Sequence, residues 1–338
     1  TGSALASRAR EGGHPVIELP MRGDADVRSV LGLAGWMRRR RVEVLNVNVQ
    51  RAVRIGCAAA RLVGVKAVVE RRGLDLPIRD RLVNRAVYGR CLTHVVANCK
   101  SIERGVLSSG LVDRDRLSVI PNGIDPDRVP RGGGELVRRE LSVEERAPLV
   151  AVIGRLVPDK GHDVAIEAFA GVLQSLPSAR MIIAGGGSLE QKLRSEALRL
   201  SPAGAVIVAG HREDVPAILD AADVVLVTSS REGMPHVILE AMVSGTPVIA
   251  TRTAGIPEMI EDGEDGLLIP VGSAEAARTA MTRLLTDRDL ASRLAGGAAK
   301  RARSEFSLTV MVDRFEELFG RLASNPAHSG LSGPCAGR

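Results

Sequence analysis

Aromatic side chains are nearly absent: one Trp, one Tyr and four Phe, 2% of a 338-residue chain. That excludes a core of stacked rings and a nucleic-acid surface built on aromatic platforms. The interior must come from Val, Leu, Ile and Ala within a 45% hydrophobic chain. Such a composition suits parallel strands covered by helices better than an aromatic-rich sandwich. Long apolar runs are lacking as well. Ala221–Thr228 and Leu149–Ile153 are strand length, far below the ~20 residues of a membrane span. Without a span or a signal peptide, the expectation is a cytoplasmic protein. The four cysteines (Cys57, Cys91, Cys99, Cys335) have neither CxxC spacing nor the density of a disulfide framework. They read as small core or surface residues in a reducing compartment, with no metal site expected.

The net charge of +6 is unevenly placed. Residues 1–146 carry 27 Lys+Arg against 17 Asp+Glu, and the remaining 192 carry 19 against 23. One basic half points to an acidic partner there. Val30, Leu31, Leu33, Ala34, Trp36 and Met37 precede Arg38–Arg41, and segment 78–90 interleaves Leu82, Val83, Ala86 and Val87 with Arg79, Arg81, Arg85 and Arg90. Basic amphipathic helices of this kind can lie on anionic lipid or cover a sheet with a solvated basic face. The first places the protein peripherally on the cytoplasmic face of a membrane.

Short apolar runs alternate with amphipathic segments throughout, which implies βαβ units and parallel sheets. In the first half, strands are expected at Val16–Leu19, Val42–Val47, Val65–Val69, His94–Ala97 and Leu117–Ile120. Helices are expected at Val27–Arg41, Ala52–Leu62, Ile78–Arg90 and Ser101–Ser109. The second half repeats the pattern, with strands near 149–153, 180–184, 205–208, 224–228, 247–250 and 266–269. Its helices are expected near 162–175, 189–200, 215–221, 237–244, 256–260 and 274–287. Pro130–Pro148 reads as a linker with a short helix, and Leu308–Leu322 as a last amphipathic helix. The division predicted is 1–146, 147–306, a returning helix 307–322 and a disordered Gly/Ser/Pro-rich tail 323–338. Before Val16 the chain opens with a helical stretch, Ala4–Arg10, and a Gly12–Gly13 turn rather than the strand and Gly-rich turn usual in a doubly wound domain.

Chemistry gathers at the ends of the second half's strands. Gly154-Arg155-x4-Lys160-Gly161 follows the strand 149–153 and offers two convergent cations, suited to a diphosphate, though an ordinary basic turn would look the same. Arg231-Glu232-Gly233-Met234-Pro235-x4-Glu240 follows the strand 224–228 and opens a helix near Pro235. A helix N-terminus with a free glycine backbone is a place for an anion, and the two acids would meet different parts of one extended ligand. Gly185–Gly187 and Gly210-His211-Arg212-x-Asp214 end two further strands. Four strand ends carrying Gly and polar groups mark a ligand crevice. Among the histidines, His162 reads as packing at a helix start, His236 as a candidate phosphate donor and His94 as a core residue.

Together these segments resemble glycosyltransferase family 4, retaining enzymes of GT-B fold. The matching runs are G-R-L-V-P-D-K-G (154–161), A-G-G-G (184–187), G-H-R-E-D-V (210–215), E-G-M-P-x4-E-A-M-x-S-G-x-P-V-I-A (232–250), G-I-P-E leading into D-G-x2-G (255–266), and I-P-N-G-I-D (120–125) in the first half. The resemblance implies two Rossmann-like domains facing across a cleft, with closure hinged near Asn122–Asp125. It implies transfer of a sugar, with retention, from a UDP- or GDP-type donor to a glycan, lipopolysaccharide or lipid-linked acceptor.

Arg155 and Lys160 would neutralise the diphosphate, with no divalent metal or other cofactor. Glu232 would bind sugar hydroxyls and stabilise positive charge near the anomeric carbon. Glu240 would take the ribose hydroxyls. Gly154, Gly185, Gly233, Met234 and Pro235 would approach the donor through their backbone, and His211 and Arg212 would contact the base. Against the family pattern, the first strand with its Gly-rich loop is expected to be missing, and Asn46-Val47-Asn48 stands where a His is usual. Arg71-Arg72-Gly73 could contact donor or acidic acceptor, or be a solvated loop. The rival readings are a nucleotide-sugar epimerase of similar fold, a glycoside hydrolase using Glu232 and Glu240, and a non-catalytic nucleotide-sugar-binding fragment.

Overall fold

The structure, a computed structural model, describes residues 4–23, 26–200 and 204–324. They form two compact units, one of residues 4–120 and 313–324, the other of residues 121–312.

In the first unit four strands, β1 (Val44–Val47), β2 (Ala67–Arg72), β3 (His94–Ala97) and β4 (Leu117–Val119), form one parallel sheet in sequential order. Its helices are α1 (Ala4–Glu11), α2 (Val27–Arg40), α3 (Gln50–Val63), α4 (Leu82–Ala86) and α5 (Lys100–Leu107). Asp26 starts α2 by accepting from the N–H groups of Arg28 (3.1 Å) and Ser29 (3.2 Å).

Two expectations fail here. Val16–Leu19 is no strand: no neighbouring strand takes up its backbone groups, and Leu19 lies against α2 at Gly32. Ile78–Arg90 is not one helix. The α4 turn begins only at Leu82 and runs into a π-helical turn, Val87–Cys91. Pro77 favours extended backbone just before the segment. Arg116 then draws the Tyr88 and Leu92 carbonyls onto its guanidinium at the turn's end.

The second unit holds a six-stranded parallel sheet in the order β10-β9-β8-β5-β6-β7. In chain order its elements are α6 (Gly134–Glu140), β5 (Leu149–Ile153), α7 (His162–Val172), β6 (Arg180–Ala184), α8 (Glu190–Leu200), β7 (Val206–Gly210) and α9 (Val215–Ala221). There follow β8 (Val224–Val227), α10 (His236–Ser244), β9 (Val248–Thr251), α11 (Ile256–Met259), β10 (Leu267–Ile269), α12 (Ala274–Thr286), α13 (Arg288–Glu305) and the first residues of α14 (Leu308–Ser324). The strands are mostly runs of Val, Ile, Leu, Met and Ala, and the inner β8 and β9 are buried on both faces, as a sheet covered on both sides requires. Phe169 on α7 is fully buried among them.

Residues 121–146, expected with the first half, belong to this unit. Helix α6 is bound to α9 by the Gly134 N–H on Asp220 (3.0 Å) and Arg138 Nε on the Ala221 carbonyl (2.9 Å). Helix α13 was not expected. Helix α14 passes from the second unit into the first at Val312–Asp313 and includes Ala323 and Ser324. The rest of the expected disordered tail, with Cys335, lies outside the described residues. Cys57, Cys91 and Cys99 are buried thiols, none of them in a disulfide. No described helix is long and apolar enough to cross a membrane.

Candidate active site

The sheet order of the second unit reverses at β5. From it the chain moves outward through β6 and β7, then returns to the other side at β8. Loops after β5 and β8 therefore diverge over opposite sides of the sheet and leave a crevice at the strands' carboxyl ends. Gly154, Arg155 and Lys160 follow β5, and Ser229, Glu232 and Pro235 follow β8.

Glycine brings these loops together. A Cβ at Gly185, whose φ is +154°, would stand 1.8 Å from the Gly154 carbonyl oxygen. Only glycine lets the end of β6 lie so close to the turn after β5. Gly161 has φ +63°, and a Cβ there would be 2.3 Å from the Thr228 carbonyl oxygen. In return the Thr228 hydroxyl donates to the Gly161 carbonyl at 2.8 Å. Lys160 is thereby held against the end of β8.

There its ammonium meets the Glu232 carboxylate in a direct ion pair. Glu232 is 5% exposed and also accepts from the Ser229 hydroxyl at 2.9 Å. A charge this buried needs such partners. His162, 2% exposed, donates from Nε2 to the Arg155 carbonyl at 2.9 Å, which fixes the turn bearing Arg155. Because a carbonyl only accepts, Nε2 carries the proton. Burial lowers the pKa of this ring. Arg155 itself is exposed.

Pro235 precedes the first turn of α10, and no side chain caps that helix. The start of a helix without a side-chain cap suits an anion, with the helix dipole in support. A cavity of about 200 Å³ lies here, lined among others by Gly154, Lys160, Thr228, Glu232, Pro235 and His236. Glu240 lies on α10, half-buried, and burial raises its pKa above the ordinary 4.5. Gly233 and Met234 are buried in the turn, where the Met234 carbonyl accepts from Asn122 Nδ2 at 2.8 Å.

The remaining sequence candidates are placed differently. His211 is exposed at the end of β7. The Arg212 guanidinium is engaged by two carboxylates, Asp214 and Glu140 on α6. Arg71 and Arg72 belong to the first unit. Arg71 is half-buried with its guanidinium 5.2 Å from the Phe315 ring centre, a cation–π contact. Arg72 is 7% exposed and donates to Glu70 (3.1 Å), the Tyr88 hydroxyl (2.9 Å) and the Leu76 carbonyl (2.6 Å). It is a core arginine rather than a solvated loop residue. The sequence reading missed Ser229 and Thr228 as parts of the site. Their signal was their place at the end of the strand that leads into Glu232. Among the described residues, no three His, Cys, Asp or Glu side chains gather as a metal cluster.

The family model described as glycosyl transferases group 1 matches residues 135–301, and that of glycosyltransferase family 4 matches residues 2–128. A lipopolysaccharide core biosynthesis glycosyltransferase of Rhizobium meliloti, LpsE, is 33% identical over 242 residues, 72% of this chain and 67% of that protein. The chain belongs to glycosyltransferase family 4. A second relative of this glycosyltransferase is the Escherichia coli UDP-Gal:alpha-D-GlcNAc-diphosphoundecaprenol alpha-1,3-galactosyltransferase, 25% identical over 307 residues, 87% of this chain and 79% of that one. Among solved structures, Anabaena HepE with UDP-glucose superposes with a TM-score of 0.84 at 22% identity, covering 95% of this chain and 90% of that one. The fold is thus GT-B, and the glycosyltransferase's two parallel α/β units are its two Rossmann-like halves. It is a nucleotide-sugar glycosyltransferase.

Proposed function

We propose that the enzyme transfers a hexose, with retention, from a UDP- or GDP-sugar to a glycan, lipopolysaccharide or lipid-linked acceptor. The observation that carries this is the Lys160–Glu232 pair beside the uncapped N-terminus of α10, at the point where the sheet order reverses. Arg155, Lys160 and the α10 amides meet the diphosphate charge without a divalent metal, supplying the electrostatic stabilisation of the leaving group. Glu232, already anionic and partnered, takes sugar hydroxyls and faces the positive charge that develops at the anomeric carbon. The C1–phosphate bond breaks as the acceptor oxygen bonds C1 on the same face, and the acceptor's proton passes to the departing phosphate. Glu240 accepts from the ribose hydroxyls. UDP-Gal and UDP-glucose, named for a relative and a structural neighbour, support this donor class.

The test is a thermal-shift titration with UDP, GDP, ADP and their sugar conjugates, in the presence of EDTA, repeated on Arg155→Ala and Glu240→Ala. One base should raise the melting temperature with concentration, and both variants should lose the effect. A shift that needs added magnesium would sink metal independence, and silence with every nucleotide would sink the donor reading.

The acceptor side of the proposal rests on the first unit. Leu82 is 83% exposed and Val83 51%, with Leu74 and Leu76 also exposed, among the exposed Arg79, Arg81, Arg85 and Arg90. Apolar side chains standing in solvent among arginines suit an anionic membrane surface, where a lipid-linked acceptor resides.

A further inference from the structure

We infer that Asn122 is a positioning residue for the donor turn, pinning the Met234 carbonyl to the two segments through which the chain enters and leaves the second unit. The chain enters after Ile120 and leaves at Val312. The two segments are bound side by side. The Ile124 N–H donates to the Phe306 carbonyl at 2.8 Å, and the Leu308 N–H to the Ile124 carbonyl at 2.9 Å, a parallel bridge at Ile124 and Ser307. The packing is close enough to demand glycine next to Asn122. A Cβ at Gly123 would stand 2.8 Å from both Leu308 Cα and the Ser307 carbonyl oxygen, and the Gly123 N–H lies 3.2 Å from Met311 Sδ. The backbone of Asn122 is therefore fixed, and its side chain, 7% exposed, cannot drift.

From this base Nδ2 reaches the Met234 carbonyl at 2.8 Å and stands 3.5 Å from His236 Nε2. The Met234–Pro235 peptide has no N–H, so that carbonyl is its one hydrogen-bonding group. Turned toward a bound diphosphate, it would set partial negative charge against the anion. Held by Asn122, it is committed elsewhere, and the turn leaves Glu232 on one side and the first amides of α10 on the other. A buried carbonyl deprived of its donor is costly in itself, which keeps the pin closed in the native protein. Asn122 touches no reacting atom in this scheme. Its effect passes through the turn.

Hydrogen exchange on the whole protein tests the pin directly. In Asn122→Ala, amides Ile238–Ala241 should exchange at least tenfold faster than in wild type, while those of α12 stay unchanged. Asn122→Asp, which presents an acceptor to the carbonyl, should do the same or more. The functional half rests on the donor reading and uses titration calorimetry with UMP and GMP, then UDP-glucose and GDP-mannose. Both variants should weaken the sugar conjugate that binds wild type about tenfold and leave its mononucleotide within twofold, because the mononucleotide does not reach the turn. Unchanged exchange at 238–241, acceleration that extends to α12, or equal weakening of mononucleotide and conjugate would each overturn the inference. If wild type binds no nucleotide, the donor reading falls and the positioning role with it, while the exchange result still decides the pin.

Discussion

Glu232 and Glu240 lie eight positions apart on one turn and helix, yet their electrical situations differ. Glu232 has its charge met by Lys160 and Ser229, whereas burial alone pushes the Glu240 carboxyl above 4.5. The sign follows from linkage. Between 4.5 and the raised native value, the folded state holds a proton that the unfolded state has released, so stability falls as pH rises through that window. The penalty is absent below 4.5 and complete above the native value. Glu240→Gln should therefore be more stable than wild type at pH 8, and the difference should vanish near pH 4, measured by urea unfolding across pH. At pH 8 the same variant should bind its nucleotide about tenfold more weakly, having lost a charged acceptor. More stable and less competent is what a strained functional residue shows. Both acids, Arg155 and Lys160 could be named from the sequence because strand, glycine turn and polar residue follow one another locally. Asn122 could not be joined to Met234, 112 positions away, since no local pattern reports that bond.

At the scale of elements, the loop after β6 makes a sharp demand on one glycine. Gly185→Ala would drive its Cβ into the Gly154 carbonyl at a strained φ. It should cost about 2–4 kcal/mol in chemical denaturation. Gly154→Ala meets nothing within 4 Å and should change stability by less than about 0.5 kcal/mol. It should still weaken nucleotide binding if the donor lies against that backbone. Strands such as His94–Ala97 and Arg180–Ala184 stand where their apolar runs put them. The misread elements have tertiary causes. Val16–Leu19 has strand composition without a ladder partner, and segment 78–90 has helical spacing interrupted by a π turn. Helix α13 was hidden by Gly296-Gly297, a poor helix pair in isolation. Gly297 is needed there because a Cβ would stand 2.6 Å from the Glu264 carbonyl oxygen.

Over the whole molecule, charge and exposed apolar side chains are concentrated in the first unit, where Leu5, Val27, Leu31, Leu62, Leu82 and Val83 all stand in solvent. The protein should sediment with vesicles containing phosphatidylglycerol and not with phosphatidylcholine alone. Leu82→Ser/Val83→Ser should reduce the bound fraction severalfold without shifting the melting temperature, because neither side chain is packed. Retention of full binding by that variant, or no binding by wild type, would sink the membrane role. The basic first half, the alternation of strand and helix and the family were all legible in the 338 residues, because composition, periodicity and contiguous motifs are properties of neighbours in the chain. Folding alone decided that residues 121–146 join the second unit, that Arg72 is buried on Glu70 and Tyr88, and that Arg212 is held by Glu140. Each of these is settled by a partner distant in sequence. The cost of leaving a buried charge or peptide group unpaired, which local pattern does not carry, selects that partner.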